Sequence, residues 1–241
     1  MTKKLHIFDL DNTLTESRTI IDTETSRLLC ELMLYSNVAV ISGAAFWQFE
    51  KQLLLGMNCN DCFKNLTILT TSGAEMWRYD MVWNKIYSNV IPEDIRIRTI
   101  RLVADVAGIP TGEETTYIED RGSGITYSAL GVTAPPEKKN LWDKDQKKRL
   151  AMVEKLLPQL PELSIRIGGT TSIDFTLSGI DKTYGVQKIS EYLHIPLSEC
   201  VFVGDALFPG GNDNAVERLD IDMIQTSGPE ETRRIIKSFI S

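Results

Sequence analysis

The chain has 241 residues, of which 42% are hydrophobic, and a formal net charge of −7. That length and apolar content suffice for one large or two modest cores. The acidic balance argues against a general nucleic-acid or anionic-membrane surface, since either needs a broad positive field, and no apolar run is long enough to span a bilayer. The first residues, with Lys3 and Lys4 soon followed by Asp9, lack a leader pattern. A cytoplasmic protein with neither nucleic acid nor membrane as partner is therefore expected.

Leu5–Phe8 is a short apolar run and reads as a buried strand that delivers Asp9-Leu10-Asp11-Asn12-Thr13 into a turn. On an extended segment side chains alternate, so Asp9 and Asp11 share a side and can serve one reacting centre, one attacking and one moving a proton. Charges so close repel unless a cation lies between them, which implies Mg²⁺ and a phosphoryl substrate. The competing reading is an acidic turn whose Asp caps the next helix. A helix follows over 23–35, then the strand 38–41 ending at Ser42-Gly43, a helix over 46–55 and a strand over 66–69. This β/α alternation predicts a parallel sheet with helices on both faces and ligands at the carboxyl ends of the strands.

From about Met81 the pattern changes. A helix over 92–107 precedes two strands, 115–119 and 125–130, around Asp120-Arg121-Gly122-Ser123-Gly124. A second helix over 143–157 precedes the strands 164–167 and 172–177. After Asp181-Lys182 the alternation resumes with a helix over 184–193, a strand over 201–203 ending at Gly204-Asp205, a strand over 222–225 and a helix over 230–239. Residues 1–80 and 181–241 are thus expected to form one α/β domain, interrupted by an α+β insertion over 81–180.

Cys30, Cys59, Cys62 and Cys200 are too few to staple a chain of this size and read as structural thiols. Cys59-Asn60-Asp61-Cys62 has CxxC spacing but lacks both the second ligand pair that zinc wants and the thioredoxin-like context that a redox pair wants. His6 and His194 lie in apolar stretches and are not persuasive catalytic bases.

Four separated stretches fit one phosphoryl-transfer site: Asp9-x-Asp11, Ser42 with Gly43, Lys182, and Gly204-Asp205 followed by Pro209-Gly210-Gly211-Asn212-Asp213. Ser42 offers a phosphate contact or a helix N-cap, and Lys182 a cation for the transferring oxygens. Asp205 offers an oxygen to a metal and Asp213 one to metal water or to Lys182, with helix capping by Asn212 and Asp213 as the competing reading. The ordered set resembles the haloacid dehalogenase superfamily, and within it the eukaryotic-type phosphomannomutases. The closer likeness lies in Ile167-Gly168-Gly169, Ser172-x-Asp174-Phe175, Gly179-x-Asp181-Lys182 and the run from Gly204 to Asp213. In those relatives the inserted unit also opens a hairpin with an Arg like Arg121 and closes it with a Ser-x-x-Gly like Ser128 to Gly131.

The resemblance implies a Rossmann-like core with an inserted α/β cap that closes over a sugar phosphate, and homodimers formed through the cap. It implies Asp9, Asp11 and Lys182 as catalytic residues; Ser42, Gly43 and Arg121 as substrate contacts; and Asp9, Asp11, Asp205 and Asp213 around Mg²⁺. Two departures stand out: Asn12 replaces the usual Gly, and Val132 occupies a place held by Arg in the mutases, with Lys138 and Lys139 nearby. Lysine offers a point charge where arginine offers a fork. The substitution at Val132 favours hydrolysis of a small sugar phosphate over hexose phosphomutase activity. A silent binding module would be expected to lose Asp9, Asp11, Lys182 or Asp205, and all four are present.

Overall fold

The computed structural model describes residues 3–57, 59–131 and 133–241. In chain order the main elements begin with β1 (Leu5–Asp9), α1 (Thr23–Leu32), β2 (Asn37–Ile41), α2 (Phe46–Gln52), β3 (Leu66–Thr70), β4 (Glu75–Asp80) and β5 (Val82–Ser88). Then come α3 (Glu93–Ala107), α4 (Glu114–Tyr117), β6 (Ile118–Asp120), β7 (Ile125–Ser128), α5 (Pro136–Trp142), α6 (Lys147–Leu156), β8 (Leu163–Gly168) and β9 (Ser172–Leu177). The chain closes with α7 (Lys182–Leu193), β10 (Cys200–Gly204), β11 (Asp222–Gln225) and α8 (Pro229–Ile240). No described helix is long and apolar enough to cross a membrane.

The chain divides into two compact units, Met1–Ser88 with Asp181–Ser241, and Asn89–Ile180. The first holds a seven-stranded sheet in the order β11-β10-β1-β2-β3-β4-β5, parallel from β11 to β3 and antiparallel beyond. Strand alternation sorts its apolar side chains into two cores. Phe8, Val38, Val40, Ile68 and Val203 pack with Leu28, Leu29 and Leu32 of α1 and Ile236 of α8. Ile7, Ala39, Ile41, Leu69 and Phe202 pack with Val186 and Ile189 of α7. Burying each large side chain contributes about 1.5–3 kcal/mol, so both faces anchor the strand ends that carry the acids.

The second unit holds the antiparallel sheet β6-β7-β9-β8, whose core includes Ile118, Ile125, Ile173 and Phe175 with Val103 of α3 and Leu156 of α6. The fold is therefore the α/β architecture expected, a parallel-sheet core with an inserted α+β unit.

Several boundaries differ from the sequence reading. The units divide at Ser88/Asn89, eight residues past position 80, because β4 and β5 extend the core sheet as a hairpin. Its turn residue is Met81 at φ 61°, a left-handed conformation that a Met gives no sign of. The expected strand 115–119 is largely the helical turn α4, opened by Thr116 N–H donating to Glu113 O at 2.9 Å. The helix expected over 143–157 begins at Lys147, after a separate α5. Asp143 anchors its start, its carboxylate accepting from Lys148 N at 3.0 Å and Arg149 N at 3.1 Å.

Candidate active site

Asp9 is the last residue of β1 and is 3% exposed. β2 and β10 flank that strand, and Asp9 pairs with Ile41, the residue before Ser42. Gly204 ends β10, so Asp205 leaves the sheet on the same edge of carboxyl ends. Lys182 opens α7, whose N-cap is Asp181, its side chain accepting from Tyr184 N at 3.1 Å.

From these positions the fully buried Lys182 ammonium lies 2.5 Å from Asp9 Oδ1 and 2.5 Å from Asp213 Oδ1. Asp213 Oδ2 accepts from Ala206 N at 3.1 Å. A Cβ on Gly204 would collide with that same oxygen, which explains the glycine before Asp205. Asp205 Oδ1 accepts from Thr13 Oγ1 at 3.5 Å.

Carboxylate oxygens of Asp9, Asp205 and Asp213 lie within 4.8 Å of one another. Burial pushes the Asp9 carboxyl well above its ordinary range; Lys182 opposes this, while Asp213 and Asp205 add to it. Burial, then Asp213, also raises Asp205. For Lys182 burial acts against the charge, but Asp213 and Asp9 outweigh it and raise the ammonium. Three carboxylates and one ammonium leave two formal negative charges, which a divalent cation would balance. An all-oxygen donor set beside a buried lysine suits Mg²⁺, a hard cation that takes a few carboxylates and completes its shell elsewhere.

The other expected residues fall as follows. Asp11 is partly exposed, and its carboxylate accepts from Arg18 N at 2.7 Å; it is not among the three gathered carboxylates, because the turn after β1 directs it to the 16–18 loop. Asn12 adopts φ 58°, a conformation open to Gly and tolerated by Asn, so the replacement keeps the turn. Ser42 is buried, and its Oγ accepts from Ala44 N at 3.2 Å; the N-cap of α2 is Ala45, so Ser42 caps no helix. Gly43 follows it, half-buried.

In the second unit Arg121 pairs with Glu119 at 2.9 Å. Strand pairing sets Glu119, Thr126, Asp174 and Arg166 in one row across β6, β7, β9 and β8. Asp174 accepts from Thr126 Oγ1 at 2.6 Å, and burial raises its carboxyl although Arg121 pulls the other way. Of the two lysines near Val132, Lys139 is buried and Lys138 exposed, while Val132 itself lies outside the described residues.

Two supporting residues escaped the sequence reading. Gln225, at the end of β11, accepts from Leu207 N at 3.0 Å through Oε1 and donates to Asp205 O through Nε2, holding the loop that carries Asp205. Arg218 bonds Asp181 and, at 2.9 Å, Thr183 Oγ1 at the start of α7. Neither has a local signal, since each acts across a long stretch of chain.

A buried lysine held between a strand-end aspartate and an aspartate of the loop after β10, on a parallel sheet with an α+β insertion, defines a phosphotransferase of the haloacid dehalogenase superfamily. More narrowly, the chain belongs to the eukaryotic phosphomannomutase family, whose model matches residues 26–241. Its similar relatives include a phosphomannomutase of Oryza sativa subsp. indica, 26% identical over 97% of this chain and 94% of that one. Another is a phosphomannomutase of Saccharomyces cerevisiae, 28% identical over 96% of this chain and 92% of that one. Among solved structures, the N-terminally truncated IMP-nucleotidase of Plasmodium falciparum superposes with a TM-score of 0.74 at 16% identity, covering 99% of this chain and 70% of that one. A haloacid dehalogenase-like hydrolase from Bacteroides thetaiotaomicron does so with a TM-score of 0.71 at 15% identity, over 98% and 99%. These two likenesses are of fold.

Proposed function

We propose that this chain is a hexose phosphomutase of phosphomannomutase type, exchanging a phosphoryl group between the 1- and 6-positions of a sugar. The observation that carries this reading is the family match over residues 26–241, joined to a site in which Lys182 bridges Asp9 and Asp213. Hydrolysis, favoured by sequence alone, draws its support from Val132, whereas the named relatives over nearly the whole chain are mutases.

In the proposed mechanism Asp9 attacks phosphorus, and the P–O bond to the sugar breaks as Asp11 protonates the departing oxygen. Asp11, now a carboxylate, takes the proton of the other hydroxyl as that oxygen attacks the aspartyl phosphate and Asp9 leaves. Lys182 holds Asp9 in place and stabilises charge on the transferring oxygens. Mg²⁺, held by Asp9, Asp205 and Asp213, would supply a charge clamp for the phosphoryl group. Ser42 and the Gly43 backbone are proposed phosphate contacts. Arg121 and Asp174 offer a guanidinium for a non-reacting phosphate and an acceptor for sugar hydroxyls.

The test is a panel of hexose 1- and 6-phosphates with Mg²⁺, assayed for isomer and for free phosphate, with and without a hexose 1,6-bisphosphate. Activator-dependent isomer formation is expected. Free phosphate without isomer would establish hydrolysis instead.

A further inference from the structure

The cysteines expected as thiols are not all thiols: Cys30 and Cys59 form a disulfide across 29 residues, with Cα atoms 6.0 Å apart. The sequence hides this pairing, because only the fold brings the last turn of α1 beside the short helical segment Asn60–Asn65. The Cys62 sulphur joins them, all three sulphur atoms lying within 4.8 Å of one another. Cys62 is buried and its thiol donates to Cys59 O at 2.8 Å, whereas Cys30 and Cys59 are half-buried against the core. α1 ends before the start of β2, and Asn60–Asn65 leads into β3. The group therefore sits at the amino ends of the parallel strands, opposite the carboxyl ends that carry Asp9 and Asp205.

We infer that Cys30, Cys59 and Cys62 form a thiol–disulfide exchange centre in which Cys59 is the shared sulphur and the outside reactant is a small thiol or its disulfide. Cys62 thiolate attacks Cys59 sulphur, the Cys30–Cys59 bond breaks, Cys59–Cys62 forms, and Cys30 leaves as a thiolate that takes the proton Cys62 gave up. No electrons are gained or lost in that step. Two equivalents of a small thiol then reduce Cys59–Cys62 and depart as their own disulfide, and the reverse reaction closes the centre. CxxC spacing permits the second pairing, and the geometry of Cys30 permits the first. A closed zinc site would want four donors, and the group supplies three, two of them already joined covalently. The centre is independent of the phosphoryl-transfer site.

The experiment uses the full chain equilibrated in glutathione buffers of graded thiol-to-disulfide ratio, quenched in acid, alkylated and mapped by peptide mass spectrometry. Buried Cys200, whose thiol burial pushes up to about 11, serves as an internal control that alkylates only on unfolding. In the wild type, Cys30–Cys59 is expected at oxidising ratios, with a Cys59–Cys62 form rising and falling before full reduction. Cys30→Ser is expected to form Cys59–Cys62, and Cys62→Ser to slow reduction of Cys30–Cys59 by about tenfold. The wild-type intermediate keeps the test independent of how the variants fold. The inference is overturned if Cys59 and Cys62 stay thiols in Cys30→Ser under conditions that close the wild type. It is equally overturned if the reduced chain holds one zinc through all three thiols and no disulfide forms at any ratio.

Discussion

Gly73, in the loop after β3, and Gly185, in the first turns of α7, meet backbone against backbone. A Cβ on Gly73 would lie 2.6 Å from the Gly185 Cα, and one on Gly185 would lie 2.7 Å from Ile41 Cδ1 and 2.9 Å from the Gly73 Cα. This approach sets how closely α7 lies on the sheet, and α7 begins with Lys182. Gly185→Ala should therefore overpack the joint by about 1–3 kcal/mol, offset by roughly 1 kcal/mol of helix propensity. A lower urea midpoint is expected, together with a fall in kcat larger than any rise in KM. Unchanged stability and kcat would show that the contact does not position Lys182.

Asp9→Asn should lower turnover on the order of a thousandfold or more while the circular dichroism spectrum stays that of the wild type, since the amide is nearly isosteric but cannot attack phosphorus. Asp11→Asn should spare an aryl phosphate more than a sugar phosphate, because a good leaving group needs less protonation. Equal losses on the two substrates would remove Asp11 from the acid role.

Asp205→Ala should raise the Mg²⁺ concentration for half-maximal activity by about tenfold or more, as one carboxylate of the gathered three is lost. Calorimetric titration of Mg²⁺ into the free protein reads the same loss without turnover. If only the unfolding midpoint moves, Asp205 acts in folding rather than at the metal.

His6 makes the stability pH-dependent. Burial, helped by Lys3 and opposed by the backbone at Asn37, lowers its pKa to about 4. Unfolded, it takes a proton near pH 6.5. Between those values the unfolded chain binds more protons, so stability rises with pH; the contribution is complete above about pH 6.5 and is lost as pH falls towards 4. The full effect is on the order of 3 kcal/mol. His6→Phe, which keeps the ring packed against Phe239, should flatten the unfolding free energy across that window. A variant with the wild-type slope would assign the pH dependence to other groups.

Reducing Cys30–Cys59 should cost about 3–4 kcal/mol of stability, the chain-entropy value for a loop closed across 29 residues. Urea unfolding with and without reductant measures it, and coincident curves would mean that the link constrains nothing in the unfolded chain.

How far the sequence could be read depended on the range of each cause. β1 and β10 are apolar runs that end in acids, so their type and the position of Asp9 and Asp205 could be seen from neighbours in the chain. The β4–β5 hairpin could not, because Met81 carries none of the usual turn chemistry. The pairing of Cys30 with Cys59, the grip of Gln225 on the Asp205 loop and the tie from Arg218 to Asp181 all depend on tertiary meetings. Asp11 shows a subtler limit: the alternation argument treats the segment as extended, but the strand ends at Asp9, and the turn sends the second carboxylate to Arg18 N.

The order in which the strands leave the ribosome bears on when the active centre comes into being. β1 is made well before its neighbour on one side, β10, and the whole of Asn89–Ile180, continuous in the chain, is made between them. The inserted unit has all of its own strands available while Leu5–Asp9 still presents an unpaired edge. Asp9 then meets Lys182, Asp205 and Asp213 only after that unit has been made, so a nascent chain that stops short of Lys182 carries the proposed nucleophile without the groups gathered around it.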